Sequence, residues 1–408
     1  MKPAGPIERV SGWQTEADRR EALRVMRDGF GSLPQVIRSR CSDPIFKPEH
    51  GRVVVANGHV VSAAIVGPRR IRFGPVRVPA LTIGPVATSE AHRKRGYAAA
   101  LMNDITAYAK SRGVLVTYLG AIPDFYHRFG YFPFRVPTRA TVRYANAKKA
   151  ALPGRMRKMT RKDVAAVRPI YDRVAKNRIC AAARDRLVWD WLLGPGSKTW
   201  QWMNARVILD RKGAVHGYAT GDFEDRINIR ELVVNPKEES IRIALGALAW
   251  QARRAVVGEM EVQLPFDDPF AVLIRQLVGA DFTFRAQSTG GQLMCIVDLP
   301  ELLRRLEPLF TRRLRDSDAG LTPVEFTLHC DGERAGFRVN SKSVRVGRAS
   351  ARRIARVPRR WMTGLLTGYH TVQDIRQREG VAIPASLQPV MEMLFPGGWP
   401  FVFQGDNY

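Results

Sequence analysis

The chain is poor in cysteine. Its 408 residues contain four, Cys41, Cys180, Cys295 and Cys330, far apart and with no C-x-x-C spacing. That argues against a disulfide framework and leaves reduced, mostly buried thiols in a cytoplasmic protein as the expectation. Long apolar runs are missing too. The most apolar stretches, residues 53–66 and 114–122, are too short or too interrupted by polar residues to cross a bilayer. Residues 1–13 lack an apolar core of signal-peptide length, and Glu8 and Arg9 break what is there. A soluble protein without a membrane span is expected. Acidic side chains are scarce: 38 Asp and Glu stand against 65 Lys and Arg, a formal net charge of +27. The excess suits a polyanion, be it nucleic acid, an anionic membrane or a phosphate-rich cofactor. Arginine spread over a solvated surface gives the same composition.

With 45% hydrophobic residues the chain can fill real cores, and at about 100–200 residues per domain it should hold about two to four. Asn57-Gly58, both tolerant of positive φ, lies between apolar residues 53–56 and 60–66 and predicts a hairpin. Gly74-Pro75 predicts a second, between 70–73 and 76–80, and residues 81–87 read as a separate buried strand. From Tyr97 the period lengthens: Ala98, Leu101, Met102, Ile105 and Ala109 fall on one helical face. Gly113 can end that helix, and 114–119 is an apolar run typical of an interior strand. Residues 1–150 thus read as one mixed α/β module. The basic stretch 147–157, broken by Pro153-Gly154, reads as a linker. Residues 155–289 repeat the order of the first module in weaker form, with strands at 206–209, 217–220, 229–234 and 259–264. The helix face Ile241, Leu245, Leu248, Ala252 and a short helix ending at Gly279 complete an internal duplication. Residues 290–408 read as a separate α+β domain, with a helix over 300–310, alternating strand positions from Val324 to Val346, and an amphipathic helix turning at Gly368.

Two stretches carry chemistry. Residues 86–101 lead a strand through Arg93, Lys94 and Arg95 to Gly96, where the helix starts. A helix N-terminus presents unpaired N–H groups and the positive end of its dipole. Gly96, without a Cβ, lets a phosphate approach the backbone, and Ala98 keeps the first turn uncrowded. In this strand–loop–helix context R-x-x-G-x-A reads as a pyrophosphate cradle of Arg93, Lys94, Arg95, Gly96, Tyr97 and Ala98. The second stretch, residues 121–134, follows the interior strand directly. Tyr126 and His127 sit there on a short helix closed by Gly130. Tyr126 can be read as a packed core aromatic; His127 is read as solvent-facing or a local cap rather than a base.

On these motifs the sequence resembles the GNAT acetyltransferase superfamily, whose signature pairs R/Q-x-x-G-x-G/A with a later F-Y-x-x-x-G-F/Y. Arg93, Gly96 and Ala98 match the first element; Phe125, Tyr126, Gly130 and Tyr131 match the second. Two such modules ahead of a domain like sterol carrier protein 2 resemble the enhanced intracellular survival (Eis) acetyltransferases, to whose motifs H-R-K-R-G and F-Y-H-R-F-G-Y stand close. The resemblance implies an α/β architecture of tandem GNAT folds followed by an SCP2-like α+β domain. It further implies acetyl-CoA as co-substrate without a metal, transfer to a primary amine of a small molecule or lysine, and a homo-oligomer of up to six chains. It assigns Tyr126 as the acid that protonates the CoA thiolate, the backbone of Val86, Ala87 and Thr88 to the pantetheine, and the terminal carboxylate at Tyr408 as base. The residues before Tyr408 differ from the best-known members. In the second module Asn235-Pro236-Lys237-Glu238-Glu239-Ser240 lacks the glycine and puts two acids where phosphates would sit, and Arg275 replaces the tyrosine, so that copy is expected to be structural. A polycationic acceptor would require acids such as Asp28, Asp124 or Asp406 in the pocket. The rival reading is a basic nucleic-acid- or ribosome-binding protein on a GNAT-derived scaffold. Its candidate surface is residues 345–360, dense in arginine but with few interleaved aromatics.

Overall fold

A computed structural model of the chain describes residues 6–31, 34–194, 204–286, 290–317, 323–349 and 351–406. Their strands form three sheets. The first begins with β1 (Ile7–Gly12), β2 (Gly51–Ala56), β3 (His59–Phe73), β4 (Val76–Thr88) and β5 (Val116–Ala121), and continues with Gly291–Ile296 and Phe132–Pro133. The β2–β3 turn has Asn57 and Gly58 at φ 52° and 73°, the conformation their types favour. The expected breaks around residues 67–70 and at 80 are absent. β3 and β4 each run unbroken because they pair with one another from Ser62/Thr88 down to Phe73/Val76, which satisfies the backbone of their polar interruptions.

Helix α3 (Tyr97–Ser111) covers one face of this sheet, burying Tyr97, Leu101, Met102, Ile105 and Ala109 against Leu81, Ile83 and Leu119. Tyr97 takes the place expected of Ala98, which is only half-buried; the larger ring at the start of the 97/101/105 row fills the space. On the opposite face lie α1 (Glu16–Phe30) and α2 (Pro34–Cys41), whose Ala22, Met26 and Ile37 meet Val53, Val55, Ala63 and Ile65. Reciprocal Thr15–Asp18 hydrogen bonds start α1.

The second sheet has seven strands in the order Asp281–Phe284, Thr138–Arg143, Glu259–Gln263, Ile227–Val234, Val215–Asp222, Arg206–Leu209, Arg155–Lys158, with helix Glu238–Arg254 packed on it. Three strands cross the sequence boundaries between the modules: Thr138–Arg143 lies in the second sheet, while Ile179–Ala182 pairs antiparallel with β3 and Gly291–Ile296 antiparallel with β5 in the first. The stretch read as a linker is mostly ordered: helix Tyr144–Ala150 and strand Arg155–Lys158 leave residues 151–154 between them. That connection lies directly on helix Glu238–Arg254. A Cβ on Gly154 would strike the Ile243 carbonyl, and one on Gly246 the Leu152 carbonyl. The third sheet orders Val344–Gly347, Glu333–Val339, Val324–Cys330 and Ile354–Arg356. The helix expected over 300–310 is two, Leu299–Arg305 and Glu307–Arg315, because Pro308 has no N–H to continue the first and is suited to open the second. Among the described residues no helix is long and apolar enough to cross a membrane.

Candidate active site

β4 and β5 are parallel partners only from Ala80/Val116 to Ile83/Leu119. Beyond that point β4 stays with β3, pairing Val86, Ala87 and Thr88 with Ala64, Ala63 and Ser62. β5 stays with the distant strand, pairing Gly120 and Ala121 with Gln292 and Gly291. A wedge therefore opens between them. Ser89 N–H donates to the Val61 carbonyl at 2.9 Å. Backbone direction alternates along a strand, so Ala87 also faces β3 while Val86 and Thr88 turn their N–H groups into the wedge. Of the three expected pantetheine contacts, two present backbone N–H groups without a partner among the described residues. Ala87 instead buries its methyl group against the α1 layer.

The loop from Thr88 to α3 crosses the mouth of this wedge. Gly96 has φ 84°, a left-handed conformation that favours glycine, and a Cβ there would meet nothing within 4 Å. No side chain caps α3 and its first turn contains no acid, so its leading N–H groups remain available to an anion. Arg93 and Lys94 are exposed and Arg95 is half-buried. The Arg93 Nε donates to the Thr88 carbonyl at 3.5 Å, tying the basic loop to the end of β4. Tyr97 contributes its ring to the core, so only its backbone is left for a ligand.

Tyr126 opens the short 3-10 turn Tyr126–Phe129, which Gly130 closes at φ 81°. Its ring is 7% exposed, edge-on to Phe125 with centroids 4.8 Å apart, and shares the α3-side core with Tyr97, Ile83 and Leu119. Both motifs thus converge on one face of the sheet. Burial pushes the Tyr126 hydroxyl up to about 12, and among the described residues it has no hydrogen-bond partner. Tyr131 nearby commits its own hydroxyl to Thr117 at 2.7 Å. The arrangement keeps Tyr126 protonated and uncommitted. His127 is exposed, as its reading anticipated.

Tyr408 lies outside the described residues. The tail up to Asp406 is firmly held. Phe401 and Phe403 are buried with Tyr171 and Trp189, and Arg135 donates to the Val402 carbonyl at 3.0 Å. Asp406 meets Arg184 at 2.9 Å; Arg184 also binds Glu231 at 2.8 Å, and Glu231 accepts from Gly405 N–H at 2.9 Å. Arg184 and Glu231 escaped the sequence reading because nothing local marks a buried charge whose partners come from three distant segments. Asp28 and Asp124 are exposed, and Asp406 is spent on Arg184. Tyr118, buried on the β5 face opposite α3, has a hydroxyl with no partner among the described residues.

In the second module, Glu238 and Glu239 occupy the first turn of helix Glu238–Arg254, and Arg275 lies over the Phe266 ring at 3.8 Å. Among the described residues no group of three His, Cys, Asp or Glu could hold a metal ion.

Comparison with known proteins identifies the N-terminal domain and the fold. The profile of the acetyltransferase (GNAT) domain matches residues 13–134. No curated protein matches the chain. Among solved structures, a GCN5-related N-acetyltransferase from Anabaena variabilis superposes with a TM-score of 0.76 at 15% identity, covering 98% of this chain and 100% of that one. A conserved protein of unknown function from Enterococcus faecalis gives 0.76 at 16%, covering 98% and 99%. Eis1 from Mycobacterium abscessus gives 0.67 at 18%, covering 98% and 100%. The full-length fold is therefore shared with these proteins, residues 13–134 carry a GNAT acetyltransferase domain, and the chain is an acyltransferase.

Proposed function

We propose that the chain transfers the acetyl group of acetyl-CoA to a primary amine, in the manner of the Eis-like enzymes. The observation that carries this reading is the wedge beyond Ile83 and Leu119, lined by the free N–H groups of Val86 and Thr88 and bordered by the uncapped start of α3. The α3 N-terminus with Arg93, Lys94 and Arg95 holds the pyrophosphate. Val86 and Thr88 bind the pantetheine and stabilise the oxyanion that forms when the neutral amine attacks the thioester carbonyl. As the carbon–sulfur bond breaks, Tyr126 gives its proton to the departing thiolate. The carboxylate at Tyr408 takes the ammonium proton, a role supported by the burial of the tail up to Asp406. The SCP2-like nature of residues 290–408, self-association and a cytoplasmic location belong to the same reading. Its test is calorimetric titration with acetyl-CoA, followed by a panel of amines scored by CoA release. Failure of the folded protein to bind acetyl-CoA at millimolar concentration would overturn it.

A further inference from the structure

A cavity of about 550 Å³ opens on the second module, between helix Tyr144–Ala150, the 151–154 connection, helix Glu238–Arg254 and the turn at Asp210. The Gly154 and Gly246 contacts lay the connection against the helix and so build its floor. Four cations stand around it, Lys148, Arg155, Arg211 and Arg253, all exposed and none in an ion pair among the described residues. The only carboxylate in the lining, Asp210, is turned toward Ala214 N–H at 2.8 Å and His216 at 3.4 Å.

Other arginines of the same module are paired: Arg139 with Glu261 at 2.9 Å, Arg157 with Asp163 at 2.6 Å, and Arg226 and Arg230 with Asp222 at 3.1 and 3.2 Å. Four cations without an ion pair among the described residues thus share one concave surface, which focuses a positive field. Trp250 lines the same cavity, 38% exposed, with the Arg254 guanidinium over its ring at 4.8 Å. Converging cations beside an accessible indole match the chemistry of a phosphate joined to a stacking base, and the volume suits a small ligand. The arginine-dense stretch 345–360 is a poorer candidate. Arg345 pairs with Glu307, Arg359 with Glu333 and Arg360 with Glu379, and the Trp361 indole nitrogen is buried.

We propose that this cavity binds a nucleotide, its base on Trp250 and its phosphates among Lys148, Arg155, Arg211 and Arg253, either free or as a unit of single-stranded RNA. The proposal is independent of acyl transfer. It is tested on the full chain at about 0.15 M salt with ATP by calorimetry and a fluorescein-labelled decameric oligoadenylate by anisotropy. Binding of ATP identifies a free nucleotide as ligand; binding of the decamer alone identifies a strand. The double variant K148E/R253E should weaken binding at least tenfold and Trp250→Leu at least fivefold, with acetyl-CoA titration unchanged in both. R348E/R352E, the same charge change on the C-terminal domain, should stay within twofold of the parent. Absence of binding to either probe, or equal weakening by the two double variants, would overturn the proposal, as would an unaffected Trp250→Leu.

Discussion

Ile83 on β4 and Leu119 on β5 are the last residues joined across two parallel strands that then part, each held by a different neighbour. β4 is retained by β3, local in sequence; β5 is retained by Gly291–Ile296, more than 150 residues away. The wedge that exposes Val86 and Thr88 thus depends on a strand supplied from beyond the second module. An N-terminal fragment would leave β5 with an open edge and no reason to stay apart from β4.

Leu293 tests this dependence. It is fully buried, faces Leu119 and packs in the α3-side core. Leu293→Ala should cost about 2–5 kcal/mol of stability, the usual range for a buried leucine, and should weaken acetyl-CoA binding by calorimetry. Leu248→Ala, equally buried in the second module, should cost similar stability while leaving acetyl-CoA affinity unchanged. Equal effects of both variants on affinity would remove the long-range strand from the site.

Gly96 separates strain from electrostatics. At φ 84° any side chain is strained by about 1 kcal/mol, but the space before it is open. Gly96→Ala should therefore lower stability slightly and leave acetyl-CoA affinity nearly intact. Gly96→Glu adds a negative charge where phosphate would sit and should lower affinity at least tenfold, about 1.4 kcal/mol. Lys237→Glu, at the equivalent turn of the second module, should change nothing in the same titration.

Tyr126→Phe removes a hydroxyl without a partner among the described residues, so the fold should survive unchanged. As the acid, Tyr126 should contribute roughly 10²–10⁴ in kcat with little effect on cofactor affinity. Because burial holds this hydroxyl near 12 rather than the ordinary 10, it stays protonated through pH 10. The parent enzyme should show no loss of kcat from this group between pH about 8 and 10. An unchanged kcat in the phenylalanine variant would leave Tyr126 a packed aromatic.

Both motifs were legible in the sequence because each is local: glycine at a left-handed position, basic residues before a helix, an aromatic turn after an apolar strand. The hairpin at Asn57-Gly58 and the buried row of α3 were legible for the same reason. Alternation along residues 138–143 or 291–296 marks a strand but carries nothing about which sheet receives it, so the exchange between modules could not be read. Nor could the linker's order, since Pro153-Gly154 signals a break equally well whether the flanking residues pack or dangle. Arg184, Glu231 and Asp406 meet only through tertiary packing.

Asp163 gives the second module an acid-sensitive point. The Arg157 hydrogen bond, with those of Thr160, outweighs burial and holds its carboxyl at about 2. Its folded pKa is below its unfolded one, so the stabilisation is present above about pH 4 and is lost as the pH falls toward 2. Arg157 is half exposed, which screens the pair to about 1–2 kcal/mol. Asp163→Asn should lower Tm at pH 7 and flatten its decline between pH about 4 and 2. A parallel decline in parent and variant would show that other carboxylates govern the acid limb.

Asp406 tests whether the held tail serves the chemistry. Arg184 is completely buried between two carboxylates, Glu231 and Asp406, and lies over the Tyr171 ring at 4.4 Å. Glu231 keeps the guanidinium paired if Asp406 is lost, so the protein should still fold, at a cost of about 3 kcal/mol. What goes is the anchor two residues before Tyr408. Asp406→Ala should therefore abolish most turnover while acetyl-CoA binding, which the proposed function assigns to α3 and β4, stays within twofold. Asp406→Asn keeps one acceptor oxygen for Arg184 and should retain an intermediate rate. The contrast distinguishes a positioned tail from a tail that merely completes a core: a purely structural role would lower Tm in both variants and leave kcat at the parent value below the unfolding transition. Full turnover in folded Asp406→Ala, measured with an acceptor from the amine panel, would move the base away from the chain end to a side chain or a bound water.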